Sequence, residues 1–403
     1  MDSFPMGGMG QISICLMAIK KDTFCVAPWY SVFVASDGKI APCCKFTKPS
    51  HSYKQIEEYF MSSDLDKVRQ DLLNGVKNAN CAKCWTDEDN SGDSLRLISN
   101  RTIAKEIKAP LSEQIKNPKL SNIKSFDLTL GNICNLKCVM CSPELSSQLL
   151  AEVNLNPELK PFYNKEYSQK EFDWPKSKDF VAWCDQYLPQ AIHIKFTGGE
   201  PFIIPWIQDV IERIPDSQKK KCILHFTTNL TVLNHKLFNC FSKFKEVWIS
   251  VSVEGSGKTH EYLRFGHSWD VLTDHIAQIK EMTLDNVMLK INHVVQSPSY
   301  QSIIEMTEFF DSKKLAIHPI LLSGPKHFQL SSLSEMAKQN FLDLTAGYDG
   351  FNKQFIDFVR KVSREHLKQD RSLTEQCVKH LDSLDRVRKN SYKDIIPPEN
   401  ISV

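Results

Sequence analysis

The stretch SFDLTLGNICNLKCVMC, residues 125–141, joins a predicted strand to three closely spaced cysteines. The first six residues form a short run with the apolar and aromatic side chains that favour a buried strand. Cys134, Cys138 and Cys141 follow, with three and then two residues between them. Three thiolates can hold three corners of a four-iron, four-sulfur cluster and leave the fourth iron open to another ligand. A zinc ion completed by a distant His or Cys is the alternative that this spacing leaves open.

Further strand candidates follow this one, separated by segments long enough for helical crossovers. They are IHIKFT (192–197), CILHFTT (222–228), VWISVSV (247–253), VMLKINHVV (287–295) and AIHPILL (316–322). This alternation of strands and helices predicts an α/β fold, with a parallel sheet curved into a partial (β/α)6 barrel like an incomplete TIM barrel. A doubly wound parallel sheet is the alternative architecture.

CxxxCxxC after the first strand of such a barrel resembles the radical S-adenosylmethionine (SAM) superfamily, in which the three cysteines hold a [4Fe-4S] cluster. Motifs at later strand ends resemble the SAM-binding segments of that family. The resemblance implies SAM contacts from Gly198, Gly199 and Glu200 in FTGGEPF, Thr228 and Asn229 in TTNLTV, Ser250, Ser252 and Glu254 in ISVSVEG, Arg264 in YLRFG, and Asn292 and Val294 in INHVVQ. Met140 stands where relatives often place an aromatic residue over the adenine, and a methionine can pack there.

A second group of cysteines precedes the barrel, in CVAPWYSVFVASDGKIAPCC (25–44) and CAKCW (81–85). The pair Asp37-Gly38 is a hairpin signal, which would bring the strands around the first two cysteines together. The pattern resembles a twitch domain, the shortened form of the SPASM domain, although in relatives this domain usually follows the barrel. It implies an auxiliary [4Fe-4S] cluster held by Cys25, Cys43, Cys81 and Cys84. A four-cysteine zinc ribbon is the alternative, and Cys44 is a spare thiol.

These patterns divide the 403-residue chain into four predicted regions. They are a twitch-like region (1–101), a linker (102–123), the barrel (124–325) and a C-terminal helical extension (326–403). Within the first region, residues 55–75 predict one helix. In the extension, Ser332 and Ser372 are predicted N-caps, and Arg386, Arg388 and Lys389 predict a solvated basic face.

The composition excludes some kinds of partner. Fifty basic residues balance 48 acidic ones, so no electrostatic footprint for nucleic acid or a membrane surface is expected. Neither a secretory signal nor an apolar run long enough to span a bilayer is evident. We therefore expect a cytoplasmic protein whose thiols stay reduced. The single cysteines Cys15, Cys184, Cys222, Cys240 and Cys377 are expected to be buried structural thiols.

The resemblance implies an enzyme that cleaves SAM reductively to a 5′-deoxyadenosyl radical, which abstracts a hydrogen from the substrate. An auxiliary cluster fits an oxidative outcome, so an oxidoreductase is expected, with an external electron donor of the flavodoxin or ferredoxin type. The substrate remains open between a ribosomal peptide and a small molecule such as a sugar or amino-alcohol. A zinc or iron–sulfur protein without catalysis is the alternative from another class. Strand histidines His193, His225, His293 and His318 face either the substrate or the core.

Overall fold

The computed structural model describes residues 22–401 except 48, 108–110, 164 and 283. Its strands form one nine-stranded sheet. The strands are β1 (Ser31–Val34), β2 (Lys39–Ala41), β3 (His51–Ser52), β4 (Ser125–Thr129), β5 (His193–Thr197), β6 (Ile223–Thr228), β7 (Glu246–Ser252), β8 (Val287–Val295) and β9 (Ile317–Leu321). They lie side by side in the order β3-β2-β1-β4-β5-β6-β7-β8-β9.

Strands β4 to β9 are the six predicted barrel strands, and each pairs in parallel with the next. Their order follows the chain, whereas a doubly wound sheet reverses its strand order at a switch point. The sheet is open, because β3 and β9 form its two edges. The prediction of an α/β partial barrel is therefore confirmed.

Helices connect the strands and cover the outer face of the sheet. They are α1 (Ala27–Tyr30), α2 (Ile56–Phe60), α3 (Ser63–Leu73), α4 (Ala82–Ser91), α5 (Leu95–Glu106), α6 (Leu111–Lys116), α7 (Ser147–Leu155), α8 (Lys178–Tyr187), α9 (Trp206–Glu212), α10 (Asp216–Lys219), α11 (His235–Phe241), α12 (Gly257–Leu263), α13 (Trp269–Glu281), α14 (Ile303–Ser312), α15 (Glu335–Leu344), α16 (Lys353–Glu365) and α17 (Arg371–Arg388). Within the described ranges, none of them is both long and apolar enough to cross a bilayer.

The cysteine-rich N-terminal region extends the barrel sheet. The turn at Gly38, whose φ is +78°, joins β1 to β2 and confirms the predicted hairpin. On its other side β1 pairs in parallel with β4, from Ser31 opposite Ser125 to Val34 opposite Leu128. The cysteine-rich region and the barrel thus share one hydrogen-bonded sheet. The division of the chain into four regions stays a prediction.

Three local predictions are wrong, each because another side chain caps the helix. The predicted helix over 55–75 is two helices, since Ser62 accepts a hydrogen bond from the Leu65 amide and starts α3. In the C-terminal extension Ser334 caps α15 in place of Ser332. Asp370 caps α17 in place of Ser372. Short polar side chains near a helix start compete for this role, and the sequence does not rank them.

Burial alternates along the barrel strands, as expected where one face packs against helices. Phe126, Ile194, Phe226, Ile249 and Ile291 are fully buried in the core on the helical side. The single cysteines Cys184, Cys222 and Cys377 are also buried, and Cys240 is half-buried. Cys15 lies outside the described residues.

Candidate active site

The first cysteine group lies in the loop after β4, at the carboxyl ends of the parallel strands. Two backbone hydrogen bonds fix this loop against the end of α12: Lys137 N donates to Phe265 O at 3.0 Å, and Val139 N donates to Leu263 O at 2.8 Å. On the other side the Ser147 hydroxyl accepts from the Cys134 amide at 3.3 Å. In βα-barrels, the loops at this end carry the chemistry.

The thiols of Cys134, Cys138 and Cys141 lie close enough for a charge on one to affect another. Burial raises the pKa of Cys134 to about 12, and a charge on Cys138 would raise it further. Burial also raises the pKa of Cys141, with Cys138 and Cys134 adding to the effect. The Arg264 guanidinium opposes these shifts at all three thiols. A cationic neighbour favours the thiolate form that an iron cluster needs.

The glycine turn after β5 packs directly on the cysteine loop. A Cβ added to Gly199 would lie 2.3 Å from Ile133 O, and one added to Gly198 would lie 2.1 Å from Thr129 Cγ2. Both residues also have positive φ angles, +70° at Gly198 and +56° at Gly199. The Glu200 amide donates to Ile133 O at 2.7 Å. Only glycine allows the turn this close to the loop.

We expect Gly199→Ala to lower the free energy of unfolding by about 2–4 kcal/mol, because it adds backbone strain and a backbone clash. Gly257→Ala is the matched control, since Gly257 also has a positive φ (+47°) but nothing within 4 Å of an added Cβ. Urea midpoints of the metal-free proteins measure both changes. Equal losses in the two variants would contradict the contact with the cysteine loop.

The Glu200 carboxylate joins the ends of β5 and β6. It is buried and accepts hydrogen bonds from Thr228 Oγ1 at 2.6 Å, Asn229 N at 2.5 Å and Phe202 N at 2.9 Å. Burial raises its pKa, and these three donors work against that shift. The carboxylate is thus engaged by protein donors that fix the two loops.

Asn229 links the end of β6 to the cysteine loop. Its side-chain amide lies 3.9 Å from the Cys134 sulfur and donates to Asn135 Oδ1 at 3.1 Å. The predicted residues after β4, β5 and β6 therefore lie together in one place.

Glu254 holds the corresponding position at the ends of β7 and β8. Its buried carboxylate accepts from Val294 N at 3.1 Å and Gln296 Nε2 at 3.3 Å, and Arg264 Nη1 lies 3.6 Å away. Burial raises the pKa of Glu254 to about 8, although Arg264 lowers it. Arg264 thus connects this carboxylate with the three thiols.

Ser252 and Asn292 face each other as paired residues of β7 and β8. Ser250 lies one pair deeper, with its hydroxyl 2.9 Å from His225 Nε2. Met140 is half-buried and packs against the main core. Of the predicted residues, Ser250 is the one that lies away from the rim of the barrel.

The donors at this rim fit the groups that the resemblance implies. No set of three or more His, Cys, Asp or Glu side chains in the described part of the chain is arranged to hold a single metal ion. A cubane cluster spreads its thiolates over separate irons, so its ligands need not converge on one point. Arg264 Nε, Asn292 Oδ1 and Gln296 Oε1 are buried and have no hydrogen-bond partner among the described residues. Buried polar atoms are normally paired, and a polar ligand such as SAM could pair with these.

The second cysteine group lies around the N-terminal strands β1 and β2 and the start of α4. Cys25 precedes α1, Cys43 follows β2, and Cys81 and Cys84 lie at the start of α4. Cys25 belongs to a small apolar cluster with Trp85, and Cys43 and Cys81 pack against it. Burial raises the pKa of Cys25 to about 12, and charges on Cys84 and Cys81 would add to this. Four thiols within electrostatic reach, two buried and two half-buried, fit the donor set of a fully ligated cluster.

The segment after Cys84 was expected to be a loop but forms the rest of α4 and the start of α5, and it packs on this group of thiols. Arg96 Nη2 donates to Glu88 Oε2 at 2.6 Å, and the Arg96 guanidinium lies 4.8 Å from the Trp85 ring centroid. Ser94 Oγ also donates to Glu88 Oε1. Cys44 differs from its neighbours, because the charges nearest to its thiol are Asp127 and Lys195 on the barrel sheet.

Three of the strand histidines line the concave face of the sheet. His193 Nδ1 lies 3.0 Å from Ser125 Oγ, and the charge on His225 is affected by His193 and His318. His293 instead faces the core, with Nδ1 2.9 Å from Val253 O and its ring against Phe355.

The prediction of a solvated basic face is wrong for Arg388. Its side chain is 2% exposed and forms an ion pair with the buried Glu152 at 2.7 Å. Lys137, within the first cysteine loop, also reaches Glu152 at 2.6 Å. Through Glu152, the last turn of α17 is therefore linked to Lys137 in the first cysteine loop. Arg386 is exposed as predicted. Sequence reasoning missed Glu152, which carries no motif.

Comparison with known proteins agrees with this geometry. Residues 128–310 match the family model described as the Radical SAM superfamily. This match covers slightly less than half of the chain and identifies a radical SAM domain within it. Curated proteins gave no match to the chain.

Solved structures match parts of the chain at low similarity. anSMEcpe with bound AdoMet and Cp18Cys peptide is 16% identical, with a TM-score of 0.36, over 54% of this chain and 57% of that chain. Streptococcus suis SuiB bound to the precursor peptide SuiA is 17% identical, with a TM-score of 0.38, over 75% of this chain and 62% of that chain. The chain thus spans less than two thirds of the length of either protein. Likenesses this distant assign no substrate.

Proposed function

We propose that the chain is a radical SAM enzyme whose cluster ligands are Cys134, Cys138 and Cys141. The observation that carries the proposal is the convergence of the loops after β4, β5 and β6, where the Gly199 turn and Asn229 contact the cysteine loop. Arg264 and Glu254 complete the rim on the side of β7 and β8. The match of residues 128–310 to the superfamily supports the same chemistry.

The bound cluster and SAM supply homolytic cleavage to methionine and a 5′-deoxyadenosyl radical, which removes a hydrogen from the substrate. The side chains of the protein bind SAM and orient it. Asn292, Val294 and Met140 line the side proposed for adenine, and Gly198, Gly199, Thr228, Ser252 and Glu254 line the side proposed for the rest of SAM. Glu200, Thr228 and Glu254 are buried in this rim, which would limit the access of water to a reactive species.

The proposal is tested by reductive cleavage of SAM. Anaerobically reconstituted protein, reduced with dithionite and supplied with SAM, is expected to form 5′-deoxyadenosine. A flavodoxin or ferredoxin is expected to replace dithionite as the electron donor. If SAM stays intact in a preparation with the full iron content, the proposed function is wrong.

We further propose that Cys25, Cys43, Cys81 and Cys84 hold an auxiliary [4Fe-4S] cluster, which supports an oxidative modification by accepting the electron left on the substrate. Cys25, Cys43 and Cys81 lie in or against one apolar cluster, and Cys84 is buried, as suits an iron–sulfur cluster shielded from water. The zinc alternative predicts stoichiometric zinc and only about four irons per chain. The substrate is proposed to be a ribosomal peptide or a small molecule such as a sugar or amino-alcohol.

We expect Cys84→Ala to lower the iron content from about eight to about four per chain while 5′-deoxyadenosine still forms, because only the auxiliary group loses a ligand. Cys44→Ala is the matched control, since that thiol lies in the same loop as Cys43 but near Asp127. Iron analysis and product quantification measure the two outcomes. Equal iron loss in both variants would place Cys44 among the ligands.

A further inference from the structure

Polar side chains cross the concave face of the sheet between the two cysteine groups. Each barrel strand contributes one, and we call this set the chamber row. Its members are Asp127 on β4, Lys195 on β5, His225 on β6, Ser250 on β7, Lys290 on β8 and His318 on β9. Residues that line the lumen of a barrel at mid-height face whatever molecule occupies the lumen.

Most members of the chamber row are paired with one another. Lys195 Nζ lies 3.4 Å from Asp127 Oδ2, and His225 Nε2 lies 2.9 Å from Ser250 Oγ. Lys290 and His318 are not paired within the row, and Lys290 forms no ion pair with any residue that the structure describes. It stands opposite Ser250 in the sheet, and the charge of Lys195 reaches it.

The charges of the chamber row do not balance. Two ammonium groups, Lys195 and Lys290, face one carboxylate, Asp127. The histidines add no charge near neutral pH, because burial lowers the pKa of His318 to about 4 and that of His225 well below its ordinary value. One positive charge is left over.

Carboxylates outside the row do not neutralise it. Asp87 and Asp93 are near enough to affect His318. Asp87 is paired with Lys83 at 3.1 Å and Asp93 with Arg101 at 2.7 Å. Lys45, from the loop after Cys44, adds another cation near His318.

An unpaired ammonium in a half-buried site is unfavourable. Burial, with repulsion from Lys195 as a second cause, lowers the pKa of Lys290. A bound anion would offset both the burial of the Lys290 ammonium and its repulsion from Lys195, so the protein without ligand favours binding of an anion here.

We propose that Lys290, with Lys195 beside it, binds a carboxylate group of the substrate in the middle of the barrel. Within the chamber row one positive charge is unmatched, and a single carboxylate balances it. Lys290 precedes Asn292 by two residues, a distance of about 7 Å along a strand. A substrate anchored there presents a carbon near its carboxylate to the rim where SAM is proposed to bind. That this carboxylate belongs to a substrate rests on the proposed function.

The test measures carboxylate binding by calorimetric titration of the reconstituted protein, without reductant. The probes are propionate, its neutral counterpart propionamide, and inorganic phosphate. The wild type is expected to bind propionate in preference to the other two. The capped tripeptides acetyl-Gly-Glu-Gly-amide and acetyl-Gly-Gln-Gly-amide differ in their one carboxylate, so they show whether the carboxylate can also come from a peptide side chain.

Lys290→Met is expected to weaken propionate binding roughly tenfold or more, as for loss of a hydrogen bond to a charged group. Lys290→Arg retains the charge and is expected to retain most of the binding. Lys236→Met, an exposed lysine on α11, is the matched control and is expected to bind as the wild type does.

Two results would overturn the proposal: equal binding of propionate and propionamide by the wild type, or unchanged propionate binding by Lys290→Met. Preferred binding of phosphate would also overturn it, because the site would then serve a dianion. Since the titration needs no SAM cleavage, a protein that binds propionate but forms no 5′-deoxyadenosine contradicts the proposed function alone.

Discussion

Cys138→Ala is expected to abolish 5′-deoxyadenosine formation and to remove about four of about eight irons per chain. Cys138 is buried between the ends of β4 and α12, with Arg264 as the largest charge near its sulfur. Loss of one of three proposed thiolates leaves two, too few to retain a cluster with a single open iron. The measurements are iron content after anaerobic reconstitution and 5′-deoxyadenosine after reduction with dithionite.

Cys240→Ala is the control for this experiment, because Cys240 is a half-buried thiol on α11 outside both cysteine groups. It is expected to retain the full iron content and the full rate of SAM cleavage. Wild-type amounts of 5′-deoxyadenosine from Cys138→Ala would rule out the proposed ligand set.

Arg388→Met is expected to destabilise the metal-free protein by about 3 kcal/mol, because it removes one partner of a buried ion pair. Glu152 is only 4% exposed at its side chain. The effect should fall at the low end of the range for such pairs, since Lys137 remains bound to Glu152 at 2.6 Å. Urea unfolding followed by circular dichroism measures the shift in midpoint.

Arg386→Met is the matched control, two residues earlier on the same helix and exposed. Its expected effect is within about 0.5 kcal/mol. The double variant Arg388→Met with Glu152→Met should regain part of the lost stability, because it leaves no buried carboxylate. Equal midpoints for Arg388→Met and Arg386→Met would show that the ion pair contributes nothing.

The barrel strands and their motifs could be predicted from local sequence. β4 to β9 are short runs of β-branched and aromatic residues, and each predicted run agrees with its observed strand to within about a residue at either end. The polar residues that follow the strands are near each other because parallel strands end at one edge of a sheet. This is why Asn229 and Gly199 could be assigned to the same place as the cysteine loop.

Interactions between distant parts of the chain could not be predicted in this way. The pairing of β1 with β4 joins residues more than ninety positions apart, such as Ser31 and Ser125, and no local pattern encodes it. Arg388 and Glu152 are separated by 236 positions. In isolation Arg388 resembles any basic residue at a helix end, where solvent exposure is the common outcome. Its burial depends on how α17 packs against the barrel.

The parallel pairing of β1 with β4 also contributes to the distance between the two cysteine groups. Cys25 precedes the start of β1 and Cys134 follows the end of β4, so the length of this strand pair contributes to the separation of the two thiol groups. Five residues from Ser125 to Thr129 span about 13 Å at the usual rise per residue. The hydrogen-bonded register of β1 on β4 therefore contributes to the distance over which an electron would pass between the two proposed clusters. A one-residue insertion in β4 would change that distance and turn Asp127 to the other face of the sheet.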